Sequence, residues 1–357
     1  MIRVLVVEDS PVARALLIHL LNSDAGIQVM GTAVSGKEAV EFMAHNRPDI
    51  ITMDIHMLEM DGFEATRIIM ETNPVPIVIV TGSLDMRDLE TSFRAIEAGA
   101  LTVLPKPQGI GHPDHEKDTR HLLTTIKLMS EIKVVRRWAR KAGRALPTQE
   151  KAAILPSAGV KVVAIGASTG GPPVIEKILA GLPGDFPASV LIVQHMAKGF
   201  IRGFAEWLGQ TSSLPVHVPV HGSMTRPGHV YIAPEDVHMR MDAAGRISCT
   251  NDAPENGLRP SVSHLFRSAA TVFGHHAVGV LLTGMGKDGS AELKLMKDAG
   301  AVTIAQNEQS SVVYGMPGEA VRLDAAKYVV SADRIAQVLT SIAMAKGKRE
   351  EKDRVSR

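Results

Sequence analysis

One cysteine, Cys249, stands in 357 residues, so no disulfide can close within the chain and nothing points to an oxidising compartment. Charge of one sign is missing as well: 39 Lys and Arg meet 38 Asp and Glu, a net of +1. No large positive field exists to gather nucleic acid. Aromatic residues are scarce at 4%, which leaves Val, Ile, Leu, Ala and Met to build the core. No apolar run reaches the ~18 residues of a membrane span. Glu8 and Asp9 arrive before the apolar region of a signal peptide could form. The expectation is a cytoplasmic, soluble protein without membrane insertion or a nucleic-acid partner. What is present, 45% hydrophobic and 22% charged residues, is globular and excludes disorder. The length is about twice the ~150-residue prior for one domain, so two domains are expected.

Apolar, β-branched segments at 2–7, 27–33, 49–53, 76–80 and 101–104 read as strands. Helical patterns follow at 11–21, 36–46, 62–71 and 86–98. The alternation predicts a doubly wound parallel sheet, whose ligands bind beyond the carboxyl ends of the strands. A second α/β region begins at Lys161, with strands at 161–165, 190–194, 277–283 and 302–305, helices at 174–180 and 290–298, and a strand-rich stretch at 216–247. The expected fold class is α/β, two doubly wound parallel-sheet domains joined by a linker. Boundaries are expected at 1–125, a linker helix and loop at 126–158, a second domain at 159–346 and a charged tail at 347–357. A helix over 115–142 ends in Lys133, Arg136, Arg137, Arg140, Lys141 and Arg144, a run that reads as a solvated face rather than a membrane or nucleic-acid patch.

Five chemistry-bearing residues fall at the strand tips of the first region: Glu8 and Asp9, Asp54, Thr81 and Lys106. Gathered carboxylates repel one another unless a hard cation shares them, and Mg²⁺ prefers such oxygens. With an ammonium and a hydroxyl alongside, the set can hold a phosphoryl group and use a carboxylate as its acceptor. Glu8-Asp9-Ser10, Asp54-x-x-Met57, Met60-Asp61-Gly62, Thr81-Gly82 and Lys106-Pro107 resemble the motifs of response-regulator receiver domains over residues 1 to about 125. The resemblance implies a flavodoxin-like five-stranded sheet and Asp54 as phosphoacceptor from a histidine kinase. It also implies Mg²⁺ on Asp9 and Asp54 with Glu8 in support, and Thr81 and Lys106 on the phosphoryl group. Two positions depart from the family: Leu58 replaces the usual Pro, and Val103 the usual aromatic switch residue.

In the second region a strand runs into Gly166-Ala167-Ser168-Thr169-Gly170-Gly171-Pro172-Pro173. Small residues permit a tight strand-to-helix turn, and Pro favours a helix's first positions. Ser168 is thereby expected near a helix N-terminus, where free N–H groups can receive negative charge. His195 follows another strand, and Asp288 lies in the loop after a third. Strand tips bearing Ser, His and Asp can form a hydrolytic triad, although the chain order is not that of α/β-hydrolases and no G-x-S-x-G elbow is present. A phosphate-cradling loop is weaker, because G-x-G-x-x-G and a P-loop Lys are missing and Glu176 comes too soon to bind a ribose. Spacing alone leaves both the triad and a structural reading of His195 and Asp288 open.

Residues 159–345 carry Gln194-His195-Met196, Pro227-Gly228-His229-x-Tyr231-Ile232-Ala233-Pro234, Arg259-Pro260-Ser261-Val262 and Thr283-Gly284-Met285-Gly286-x-Asp288-Gly289. Together with the Ser168 loop, these resemble the Rossmann-like catalytic domains of chemotaxis protein-glutamate methylesterases. The resemblance implies Ser168 as nucleophile, His195 as general base, Asp288 as the acid orienting it, and the Met285 amide with Thr169 as oxyanion donors. It implies methyl-accepting chemoreceptors as protein substrates, glutamine deamidation as a second activity, no cofactor in this domain, and a receiver that covers the catalytic opening until phosphorylated. The alternative from another class is a phosphorylation-controlled docking protein with little turnover. His217 and His221 are expected on a strand rather than a metal-binding helix face, and His275-His276 at a helix end. Arg259 is open between contacting acidic substrate and supporting the opening.

Overall fold

The computed structural model describes residues 1–82, 94–132, 134 and 159–344. The basic side chains from Lys133 to Arg144, the tail at 347–357 and the first part of the helix expected at 86–98 lie outside these residues. The chain divides into two compact units, Met1–Leu146 and Pro147–Arg357. No helix among the described residues is long and apolar enough to cross a membrane.

The first unit holds five strands: β1 (Ile2–Val7), β2 (Ile27–Ala33), β3 (Ile50–Met53), β4 (Ile77–Thr81) and β5 (Thr102–Pro105). All pair in parallel, in the order β2-β1-β3-β4-β5. Strands β3 and β4 are buried along their whole length. Helices on both faces produce that burial, and it explains why these segments read as unbroken apolar runs. The helices Pro11–Asn22, Gly36–His45 and Gly62–Thr72 are each capped by a side chain, of Ser10, Ser35 and Asp61 respectively, that accepts an N–H of the first turn. The helix His115–Ser130 runs past residue 125 and buries Leu122, Ile126 and Met129, which are spaced for one helical face. Winding reverses between β1 and β3, so the loops after these strands part and open a crevice at their carboxyl ends.

The second unit adds β6 (Val162–Ala167), β7 (Ser189–Gln194), β8 (Val216–His217), β9 (Val230–Ile232), β10 (His238–Met241), β11 (Ile247–Thr250), β12 (Ala277–Leu281), β13 (Val302–Gln306) and β14 (Tyr328–Val330). Seven of them form one parallel sheet in the order β14-β13-β12-β6-β7-β9-β8. The strand-rich stretch is therefore divided: β8 and β9 extend the sheet, whereas β10 and β11 form a separate antiparallel pair. The scarce aromatics collect here, with Phe186, Phe200, Phe204 and Phe266 among the largest fully buried side chains. Strand β6 lies between β7 and β12, and the chain reverses its winding at that point. Residues following β6, β7 and β12 consequently emerge side by side.

Gly62 shows how tightly the first crevice is built. A Cβ at this position would lie 2.0 Å from the Asp54 carbonyl oxygen, although the glycine needs no unusual φ. Its N–H donates to the Ile55 carbonyl at 2.9 Å, and Asp61 beside it caps the helix. The Gly62→Ala variant is expected to lose about 1–3 kcal/mol by overpacking, read as a lower urea midpoint for the first unit. An unchanged midpoint would contradict this packing.

Candidate active sites

At the first crevice, Glu8 and Asp54 are buried and Asp9 is exposed. One carboxylate oxygen from each lies within 4.8 Å of the others. The Lys106 ammonium bridges two of them, 2.8 Å from Glu8 and 2.9 Å from Asp54. Burial and the neighbouring Asp54 charge push the Glu8 carboxyl above its ordinary value, against the opposing pull of Lys106. Burial acts on Lys106 in the opposite direction, but Glu8 and Asp54 outweigh it and hold the ammonium above its usual range. The other Asp54 oxygen accepts the N–H of Ile55 at 2.8 Å. Thr81 ends β4 almost wholly buried, and its hydroxyl has no partner among the described residues. All five residues expected at strand tips therefore end their strands on one edge. The three carboxylates offer the hard oxygen donors that suit Mg²⁺. Leu58 is 80% exposed, and Val103 packs against the core of this unit.

At the second crevice, parallel register sets Ala167 beside Gln194, and Ser168 and His195 follow them. The Ser168 N–H donates to the Thr283 carbonyl at 3.0 Å, which ties the tip of β6 to the loop after β12. Gly284 packs directly on Ser168: a Cβ there would lie 2.7 Å from the serine Cβ. Asp288, in the same loop, accepts from His195 Nε2 at 2.9 Å. The imidazole side chain is 10% exposed and the carboxylate 1%. Burial alone would raise the Asp288 carboxyl, but hydrogen bonds from His195, Ser261 and Val262 outweigh it and bring it to about 2. Ser168 and Thr169 are half-buried, Met285 is 46% exposed, and the Ser168 hydroxyl makes no hydrogen bond among the described residues. The amides of Thr169 and Met285 likewise carry no hydrogen bond among the described residues.

Several polar residues around this site carried no role in the sequence reading. Ser261 and Ser263 give Asp288 Oδ1 their hydroxyls at 2.6 and 2.8 Å, and the Val262 amide reaches Oδ2 at 2.6 Å. Gln194 donates through Nε2 to the carbonyls of Ser168 and of His195, both at 2.8 Å, so one amide spans the two residues. A Cβ at Gly171 would lie 2.2 Å from Gln194 Oε1. Gly170, at φ 76°, turns the chain into the helix Gly171–Ala180. The run of small residues is thus required by the turn and by the glutamine packed behind it. The only signal for Gln194, Ser261 and Val262 was their place inside the motifs Gln194-His195-Met196 and Arg259-Pro260-Ser261-Val262, and Ser263 lies outside both. Arg259 itself donates to the carbonyls of Asn251 and Asp252. His217 lies on β8 and faces His229 at 2.9 Å, and His275 and His276 sit in a 3₁₀ turn after the helix Val262–Phe273.

A family model described as the CheB methylesterase matches residues 163–339, and one described as the response regulator receiver domain matches residues 4–112. The chain is 54% identical over 349 residues to a protein-glutamate methylesterase/protein-glutamine glutaminase of Nitrosospira multiformis, covering 97% of this chain and 98% of the relative. It belongs to the CheB methylesterase family. A relative of the same name from Geobacter metallireducens is 56% identical over 348 residues, covering 97% of this chain and 100% of its own. The solved CheB methylesterase catalytic domain of Thermotoga maritima is 38% identical and covers 51% of this chain and 97% of that one, with a TM-score of 0.49. The methylesterase match contains Ser168, His195 and Asp288, and the receiver match contains Glu8, Asp9, Asp54, Thr81 and Lys106.

Asp288 gives this CheB-type site a measurable acid signature. Its carboxyl titrates near 2 in the folded chain against an ordinary 3.8, so the unfolded chain binds more protons between those values. The resulting stabilisation, roughly 2 kcal/mol, is fully present above about pH 4 and is lost as pH falls toward 2. Denaturant midpoints of the second unit measured across that window should fall more steeply for the native chain than for Asp288→Asn. Identical slopes would contradict the hydrogen-bonded carboxylate.

Proposed function

We propose that this chain is a phosphorylation-activated cytoplasmic serine hydrolase that removes methyl esters from glutamates of chemoreceptor signalling domains and deamidates receptor glutamines by the same route. The observation that carries the reading is the buried Asp288–His195 pair at the switch point, where the Ser168 hydroxyl makes no hydrogen bond among the described residues. Ser168 Oγ attacks the γ-carbonyl carbon while His195 takes its proton. Nε2 is committed to Asp288, so Nδ1 receives it. The amides of Met285 and Thr169, which carry no hydrogen bond among the described residues, are suited to receive the oxyanion. Collapse breaks the bond to the methoxy group, which leaves as methanol with the proton held by His195; from an amide, ammonia leaves. Water then attacks the acyl-enzyme and gives one proton to His195; the bond to Ser168 Oγ breaks as that proton passes to the serine, and the freed glutamic acid releases its own proton to solvent as the carboxylate.

In the receiver unit Asp54 is the phosphoacceptor from a histidine kinase, and Glu8, Asp9 and Asp54 are the residues that would hold Mg²⁺. Such an ion neutralises charge on the incoming phosphoryl group. Lys106, now shared between two carboxylates, and Thr81, whose buried hydroxyl has no partner among the described residues, are disposed to take phosphoryl oxygens.

Methanol release from a methyl-esterified receptor signalling domain tests both halves. Release is expected to rise on adding Mg²⁺ with a small phosphodonor, to fall by about 10⁴-fold or more in Ser168→Ala, and to lose the rise in Asp54→Ala. Tight receptor binding without release from the native chain would favour a docking protein instead.

A further inference from the structure

Behind Asp288 lies a second layer of polar groups that the hydrolytic reading leaves without a task. Ser261 is wholly buried. Its hydroxyl reaches Asp288 Oδ1, while its backbone N–H points away and donates to Nδ1 of His238 at 3.2 Å. A ring nitrogen that accepts an N–H carries no proton. The other nitrogen, Nε2, lies 3.2 Å from the Ala253 carbonyl oxygen. A carbonyl only accepts, so the proton of His238 sits on Nε2. Both ring nitrogens are thereby assigned, and His238, with no exposed surface, is held as the neutral Nε2–H tautomer.

A second ring reinforces this state. His264 stacks on His238 with centroids 3.6 Å apart and planes 13° from parallel. Its Nδ1 accepts from Arg240 Nε at 2.9 Å, and its Nε2 faces Glu255 at 2.8 Å. Glu255 is held in turn by Arg267, which also reaches Glu292. Two stacked imidazoles cannot both gain charge at this spacing without strong repulsion. Burial holds each below its ordinary range, with Arg240 adding to the effect on both.

We propose that His238 is a positioning residue for hydrolysis: its acceptor nitrogen draws in the Ser261 amide and so aims the Ser261 hydroxyl at the carboxylate that orients His195. The assignment rests on the reading of Asp288 as the acid of a triad. Ser261 also caps the helix Val262–Phe273, whose first amides reach the same carboxylate. Without an acceptor at His238 Nδ1, that buried N–H has no partner, and the segment carrying most of the Asp288 hydrogen bonds loses its anchor.

Two substitutions separate acceptance from bulk. In His238→Asn the side-chain carbonyl oxygen falls near the Nδ1 position and keeps an acceptor for Ser261. In His238→Gln the amide falls near Nε2, restoring the bond to Ala253 and leaving the Ser261 N–H unpaired. With methanol release as the assay, the glutamine variant should lose about ten- to a hundred-fold in kcat at unchanged KM. The asparagine variant should recover most of that loss, with equal melting temperatures showing that both fold. Equal kcat in the two variants, whether high or low, overturns the proposal. Should the glutamine variant fail to fold, Ser261→Ala tests the same path: it should show the same kcat loss at unchanged KM, and native turnover would overturn the assignment. Ser168→Ala, run in parallel, keeps the two levels apart. Turnover in that variant overturns the triad itself, whereas its silence beside a native-like His238→Gln overturns only the role of His238.

Discussion

A carboxylate with 1% of its side chain exposed can persist only if its lone pairs are filled, and the organisation of the second unit follows from filling those of Asp288. The donors are His195 Nε2, the hydroxyls of Ser261 and Ser263, and the amides of Val262 and Ser263. Two of them are the first amides of the helix Val262–Phe273, so the negative charge also sits at the positive end of a helix dipole. The donors come from the tip of β7 and from the segment that opens this helix, and the acceptor comes from the loop after β12. A parallel sheet with its switch point at β6 brings these elements to one place.

Both units solve the same topological problem and treat their acids differently. In the first, Glu8 and Asp54 share a lysine whose side chain remains 23% exposed, and Asp9 opens to solvent. That arrangement would suit the proposed admission of a phosphodonor and an ion, with Lys106 placed between two oxygen partners. In the second, Asp288 is sealed, with His195 Nε2 and four further donors around its carboxylate. Ser168 and Met285 remain accessible at the edge of the same crevice. Under the proposed mechanism, exposure divides groups that would meet substrate from groups that would only hold others in place.

The sheets were legible because fully buried parallel strands leave unbroken apolar runs, and the tips were legible because each run stops at a polar residue. Glu8, Asp54, Thr81, Lys106 and Ser168 follow that rule, and His195 comes one residue after the polar end of its run. The supports behind them do not. The helix Val262–Phe273 buries Ser263 and His264 beside Leu265 and Phe266, so its inward face is not an apolar stripe and hydrophobic periodicity passes over it. Gln194 is a buried polar residue at the end of an apolar strand, and its two acceptors are backbone carbonyls that no side-chain pattern reveals. The division of 216–247 between the sheet and a separate antiparallel pair was equally hidden, because pairing partners depend on register in space rather than on local alternation.

In the proposed mechanism Asp288 holds His195 so that it can activate Ser168. The most direct measurement is the rate at which a fluorophosphonate reagent modifies the intact chain, with the modified residue located by peptide mass mapping. Modification is expected at Ser168, slowed about ten-thousand-fold in Asp288→Asn. Modification at another residue, or at Ser168 with an undiminished rate in that variant, would contradict it.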